Sequence, residues 1–375
     1  YQDIDGSPGG ARLHMGYAGS TGEQLFTITT TSELIEAADN SFDLSEDQLA
    51  ALLARQIYFN LPSSAQSSGE LRAQILPEAT AYFVSTLSGA SQTEFVNTDA
   101  YGQAIVEYTN GVTTITGSFS GLDSDFNLNA AGGAHIYDGY AGSSGEIVQR
   151  LNVMLGDDSQ SGTFASENNT FNLEEAGVTA LFDRGQYISL VTTDQVNGAI
   201  RGQLLPYANA YFTTTLSGFS QLLPVETGAS GALKAELRGN ELTISGSFNN
   251  LSANATEDNT SLRIGDAGTL GADLVKLQPE LSRDTRGGIY RPAQNTFTLS
   301  NTEVRDLRQD GQYVNIVSSN FPIGELRGQL LAEPNYAPEG ETEVVIPTDG
   351  ELLVADGDPT GMLSLKWDPS TDESD

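Results

Sequence analysis

One short segment occurs three times in this chain: GELRAQIL at 69–76, GAIRGQLL at 198–205 and GELRGQLL at 324–331. It returns after 129 and then 126 residues, so the chain is a tandem array and one fold has to serve about three times over. The chain holds only 17 Lys+Arg, yet Arg72, Arg201 and Arg327 take the same place in each copy. Apolar and polar residues alternate around them, the pattern of a half-buried strand. A guanidinium there either extends to solvent or satisfies buried acceptors with its fork of donors, and the structural role is the expectation.

With 375 residues, that period divides the chain into about three domains of ordinary size. Forty Gly, 14 Tyr and 15 Phe in a chain rich in Thr and Ser favour all-β structure with many turns. The net charge of −33 argues against nucleic acid and anionic membranes as partners. The absence of Cys excludes disulfides, thiolate metal sites and cysteine nucleophiles. No apolar run is long enough to span a bilayer as a helix. The first residue is Tyr1 rather than Met, so a processed product or part of a longer array is expected. Sequons at Asn168, Asn250, Asn254 and Asn259 are glycosylation candidates, and the 250–259 stretch is expected to be an exposed loop.

Each repeat runs through the same series. A strand leads into a Gly-rich loop, GYAGSTGE at 16–23 and GYAGSSGE at 139–146, with a degenerate third copy in LRIGDAGTLGADLVKL at 262–277. Strands on both sides make this a turn rather than a phosphate cradle, which needs a helix N-terminus. A short helix follows at 44–55, 173–185 and 300–311, with Ser45 as N-cap, Ser300 and Glu303 spaced as a capping box and Gly311 as C-cap. A strand starting at Gln56, Gln186 or Gln312 then precedes the basic strand. LPEATAYFVSTLSGAS (76–91) matches LPYANAYFTTTLSGFS (205–220), so one repeat passes into the next without a linker and a stiff rod is expected. Hairpins follow, turning at Asn110-Gly111 and near Gly239-Asn240.

In this order the pieces resemble the CHRD (chordin-type) domain family: the LSG opening at 87–89 and 216–218, the strands bearing His14 and His135 with their Gly-rich loops, and the closing G-E-x-R-G-Q strand. The resemblance covers 11–331. It implies a compact β domain of secreted proteins with no established catalytic activity. The family's His-x-His pattern is broken, as Leu13-His14-Met15, His135-Ile136-Tyr137 and, in the third copy, Arg263.

No catalytic constellation stands out, and the chain is expected not to be an enzyme. A Ser–His–Asp triad would need His14 or His135, and no repeat offers two His for a zinc or copper site. Calcium is the one cofactor candidate, at Asp123, Asp125 and Asp138 by the second Gly-rich loop and at Asp356 and Asp358 near the end, without any EF-hand pattern.

The two ends complement each other. The first repeat has no front half, whereas TEVVIPTDG at 342–350 resembles TEFVNTDAYG at 93–102. Gly350 lies 17 positions before Trp367, as Gly102 does before Phe119 and Gly231 before Phe248. The expected architecture is therefore all-β: tandem antiparallel sandwich or barrel domains, each with one short helix, with split half-domains at both termini. The divisions fall at 1–81, 82–207, 208–335 and 336–375, the last an acidic β tail resembling a front half. The expected function is an extracellular structural protein that polymerises head to tail, the tail of one subunit completing the first repeat of the next. Val344, Leu352, Leu363, Leu365 and Trp367 would be the buried anchors. The alternative is a secreted or cell-surface adhesion module recognising a protein or a glycan.

Overall fold

The computed structural model describes residues 7–30, 35–129, 132–333 and 342–347, with the backbone alone at 256–259 and 342–347. The fold is all-β, with three short α-helices among the described residues, one per repeat: α1 (Glu46–Leu53), α2 (Glu175–Phe182) and α3 (Asn301–Arg308).

The rear part of every repeat is one four-stranded unit. In the first repeat the order is Gln24–Thr27, Arg12–Met15, Ile57–Leu61, Leu71–Leu76, all antiparallel. The third repeat has the same order, Asp273–Lys276, Ala255–Ile264, Gln312–Ser318, Phe321–Gln329. The Gly-rich loop joins the first two strands. Its third glycine permits a very close backbone approach: a Cβ on Gly145 would lie 1.5 Å from the Asp138 carbonyl oxygen, and equivalent contacts occur at Gly22 and Gly271.

The front part is a strand and a hairpin, Ala81–Ser88 with Tyr101–Thr109 and Val112–Ser120 in the second repeat. Asn110 and Gly111 both have positive φ at the turn, as a two-residue hairpin of this kind requires. Ala210–Leu216, Ser230–Arg238 and Glu241–Asn249 repeat the arrangement. Front and rear build one core: Phe83, Val106, Ile115 and Phe119 pack with Ile136, Ile188 and Ile200 in the second repeat. Leu233, Ile244 and Phe248 meet Leu262, Val314 and Leu326 in the third. The first repeat has the rear half alone among the described residues, with a core around Leu13, Ile57, Leu61 and Ile75.

Ser45 and Ser300 cap α1 and α3 through complete capping boxes, with Gln48 and Glu303 reciprocating. The helix ends differ from expectation. The left-handed residue is Asp310, not Gly311, just as it is Arg55 and Arg184 in the other repeats. The 250–259 stretch also differs. Asn250 and Asn254 are exposed in a loop, but Leu251 is buried and Ala255 begins the strand Ala255–Ile264, which holds Asn259. Its apolar residues are needed in the third core, so the loop ends five residues early.

Candidate functional site: the edge of the first repeat and the joints between repeats

The arginine of the closing strand organises each rear half. Arg72, Arg201 and Arg327 are almost wholly buried, and each guanidinium lies flat on a tyrosine of the neighbouring strand, Tyr58, Tyr187 or Tyr313, with Cζ 3.4–3.5 Å from the ring centroid. The nitrogens donate to carbonyls of the Gly-rich loop: Arg72 to Tyr17 and Ser20, Arg201 to Tyr140, Arg327 to Asp266 and Thr269. Two residues on, Gln74, Gln203 and Gln329 tie that loop to the end of the helix, through Gly16 and Arg55, Gly139 and Arg184, and Gly265 and Asp310. A loop carbonyl buried without a donor would be costly, so the arginine and glutamine set the loop's shape.

The same arginine marks where front meets rear. Arg201 pairs with Ser88 of the front strand, and Arg327 with Ser217. In the first repeat the corresponding partner is Glu343: the strand Thr342–Pro347 runs along Leu71–Leu76 from Thr342↔Leu71 to Pro347↔Leu76, with Glu343 opposite Arg72. This pairing is parallel, whereas the front strands of the complete repeats pair antiparallel. The edge that lacks its own front strand is thus covered by backbone from the other end of the chain. An exposed row of unpaired backbone groups is what such an edge would otherwise present.

Consecutive repeats meet in a joint built twice. Arg55, just past α1, makes a two-pronged ion pair with Glu107 of the next hairpin at 2.9 and 3.0 Å. Arg184 and Glu236 repeat it at 2.8 Å for both contacts. Burial pushes the Glu107 carboxyl up, opposed by Arg55. Ser118 Oγ donates to the Ala18 carbonyl, and Ser247 Oγ to that of Ala141. A Cβ on Gly19 or Gly142 would come within 2.9 Å of Gln103 N or 2.5 Å of Ala232 N. Ala18, Leu76, Ala79, Tyr82 and Ile105 form a small core of their own at the first joint. The ion pairs escaped notice in the sequence, although Arg55/Arg184 and Glu107/Glu236 both recur at the 129-residue period.

The two histidines are not equivalents. His14 faces Tyr58 and takes the register place of Tyr137, which faces Tyr187; His135 faces Ser189, two positions away. His14 stacks on Tyr58 with Nδ1 3.1 Å from the Gly22 carbonyl oxygen, and His135 lies edge-on to Tyr137. Burial lowers both imidazole pKa values. Arg263 takes the third such place and pairs with Asp273 at 2.7 Å.

Asp123, Asp125 and Asp138 are all exposed, and Asp138 Oδ1 accepts from Gln186 Nε2. Among the described residues no three acidic or imidazole groups come together as a metal site. Asn168 is exposed like Asn250 and Asn254. Of the anchors, Val344 is described by its backbone, opposite Ala73. Leu352, Leu363, Leu365 and Trp367, with Asp356 and Asp358, lie outside the described residues. Among the described residues no helix is long and apolar enough to cross a membrane.

A family model described as the CHRD domain matches residues 1–75, 83–204 and 212–330. No curated protein matches the chain.

Proposed function

Because this chain belongs to the CHRD domain family, in three tandem copies, we propose that it is an extracellular, non-enzymatic structural protein whose subunits join head to tail into filaments. The observation that carries this is the partner of Arg72. Where the complete repeats place their own front strand, the first repeat takes Thr342–Pro347. Made within one chain, that pairing covers the edge of the rear half. Made between chains, the same backbone bonds become strand addition, with affinity from the ladder and register from alternate side chains. The two contact surfaces are different, so the association propagates into an open filament unless its rotation closes a ring.

In this assembly residues 342–367 of one subunit complete the domain begun by 11–76 of the next. Val344, Leu352, Leu363, Leu365 and Trp367 are the anchors. At ~1.5–3 kcal/mol for each fully buried large apolar side chain, five of them supply a strong gross interaction before the cost of ordering the tail. The exterior location is supported by exposed sequons at Asn168, Asn250 and Asn254 and by the acidic surface. The non-enzymatic reading is supported by His14 and His135, each packed against a tyrosine ring.

Deleting 337–375 tests the reading. The truncated chain is expected to stay soluble and unpolymerised in electron micrographs, with fast hydrogen exchange across 11–76. Adding the tail as a peptide restores protection there. Filaments of the same kind from the truncated chain would overturn the proposal. A second reading, an adhesion module for a protein or glycan, draws on Phe95, Phe219 and Leu223, exposed in the loop regions that follow the front strands. Discrete monomers with a ligand-dependent thermal shift would favour it.

A further inference from the structure

The joint that links the repeats has a third copy of one of its two faces, and among the described residues nothing is docked on that copy. In the first two repeats the closing-strand leucine is buried in the joint, Leu76 at 0% and Leu205 at 2% exposure, whereas Leu331 is 47% exposed. Ala18 and Ala141 are buried under the next hairpin, and Ala267 is exposed. Gly19 and Gly142 press on the next backbone, while the space around Gly268 is open to 4 Å. The backbone of the face is unchanged. Asp310 has the left-handed φ of Arg55 and Arg184, and Gln329 binds its carbonyl as Gln74 and Gln203 bind theirs.

Its charge is reversed. Asp310 stands where Arg55 and Arg184 hold a glutamate, and Asp266 stands where Tyr17 and Tyr140 stand. The hairpins of the second and third repeats would bring Glu107 or Glu236 against Asp310, two carboxylates in a half-buried joint. The segment 350–367 does the opposite. Five positions after its leading glycine it has Ala355 instead of a glutamate. In the place of Ser118 and Ser247, which reach the Ala18 and Ala141 carbonyls beside that loop, it has Lys366. In the place of Ile105 it has Leu353, an apolar match for Leu331 and Ala267.

We infer that the end face of the third repeat is a third joint, with residues 350–367 of the same chain as its occupant. Asp310 excludes the glutamate-bearing hairpins of other copies, and Asp266 selects Lys366. This rests on reading 342–367 as a front half and adds its seat: the tail docks on its own third repeat and offers its free side to the next subunit. The device gives the array a fixed polarity, because a joint of opposite charge pattern cannot be occupied by the hairpins of the second and third repeats.

Hydrogen exchange on the full chain, kept monomeric by dilution, tests this at the amides of 266–271. Those amides are expected to exchange about 10-fold faster in Asp266→Lys and in Lys366→Asp than in the unmodified chain. The double exchange of charges is expected to recover protection to within about twofold. Leu353→Asp, outside the described cores of all three repeats, is expected to give the same loss. Equal exchange in all these chains would overturn the inference, even if filaments form. Protection as expected in a chain that never polymerises would leave the third joint standing and remove the filament proposal.

Discussion

Arg201 and Tyr187 lie face to face, Cζ 3.4 Å from the ring centroid, with the guanidinium reaching past the ring to the Tyr140 carbonyl 3.0 Å away. Burial brings the arginine's pKa down to about 10, which leaves it charged at neutral pH. One side chain thus joins the closing strand, its neighbour and the Gly-rich loop.

Replacing that fork is expected to be costly. Arg201→Lys keeps the charge but loses the flat stack and the reach to the Tyr140 carbonyl, at ~2–4 kcal/mol from the lost cation–π contact and an unsatisfied buried acceptor. Chemical denaturation followed by a probe in the second repeat reads this directly. A change under about 0.5 kcal/mol, the range of ordinary surface substitutions, would show that the arginine does not organise the loop.

The joints are expected to break at their glycines. A Cβ on Gly142 meets Ala232 N at 2.5 Å, and its φ of +81° is itself unfavourable for other residues. Gly142→Val should therefore undock the third repeat from the second while both cores stay folded. Calorimetry is expected to show one transition splitting into two. Gly228→Val, where nothing lies within 4 Å, is the control and should leave the profile single.

Removing one partner of a joint ion pair leaves the other charge in a half-buried site. Arg184→Ala leaves Glu236, whose side chain is only 2% exposed, with Arg238 at 3.6 Å as its remaining cation, and is expected to cost about 2 kcal/mol. The double variant Arg184→Ala/Glu236→Gln should recover a large part of that. A double-mutant cycle on the melting of the second and third repeats measures the coupling, and purely additive effects would show that the pair does not hold the joint.

The second repeat should lose stability in mild acid through His135. Burial, helped by the charge of Arg150, lowers its folded-state pKa below the unfolded value of 6.5. The unfolded chain then binds more protons, so this contribution is whole above that value and declines as pH falls through it toward the folded pKa. Between pH 7.5 and 5.5 the melting temperature is expected to fall further in the unmodified chain than in His135→Ser, which carries the third repeat's residue at that register. Parallel pH profiles would remove His135 as the cause.

What the residues determine by themselves is local and periodic. Asn110-Gly111 dictates its turn, Ser45 and Ser300 their caps, and the alternation around Arg72, Arg201 and Arg327 its strand, because each signal is complete within a few residues. The array itself was legible from the return of one segment. The burial of the arginines was expected in kind, but not their stacking on Tyr58, Tyr187 and Tyr313, which come from a different strand.

Tertiary structure decided whatever depends on register between distant strands. Spacing to the shared Gly-rich loop already puts His14 level with Tyr137 and two positions from His135, but only strand pairing set Tyr58 opposite the one histidine and Ser189 opposite the other. Asp310 rather than Gly311 took the left-handed place, since the three helix ends share one backbone that closes onto Gln74, Gln203 and Gln329. The parallel seat of Thr342–Pro347 beside Arg72 also lay beyond local reading. A strand's own alternation specifies which faces it shows, while the edge it joins is chosen by which backbone groups elsewhere remain unpaired.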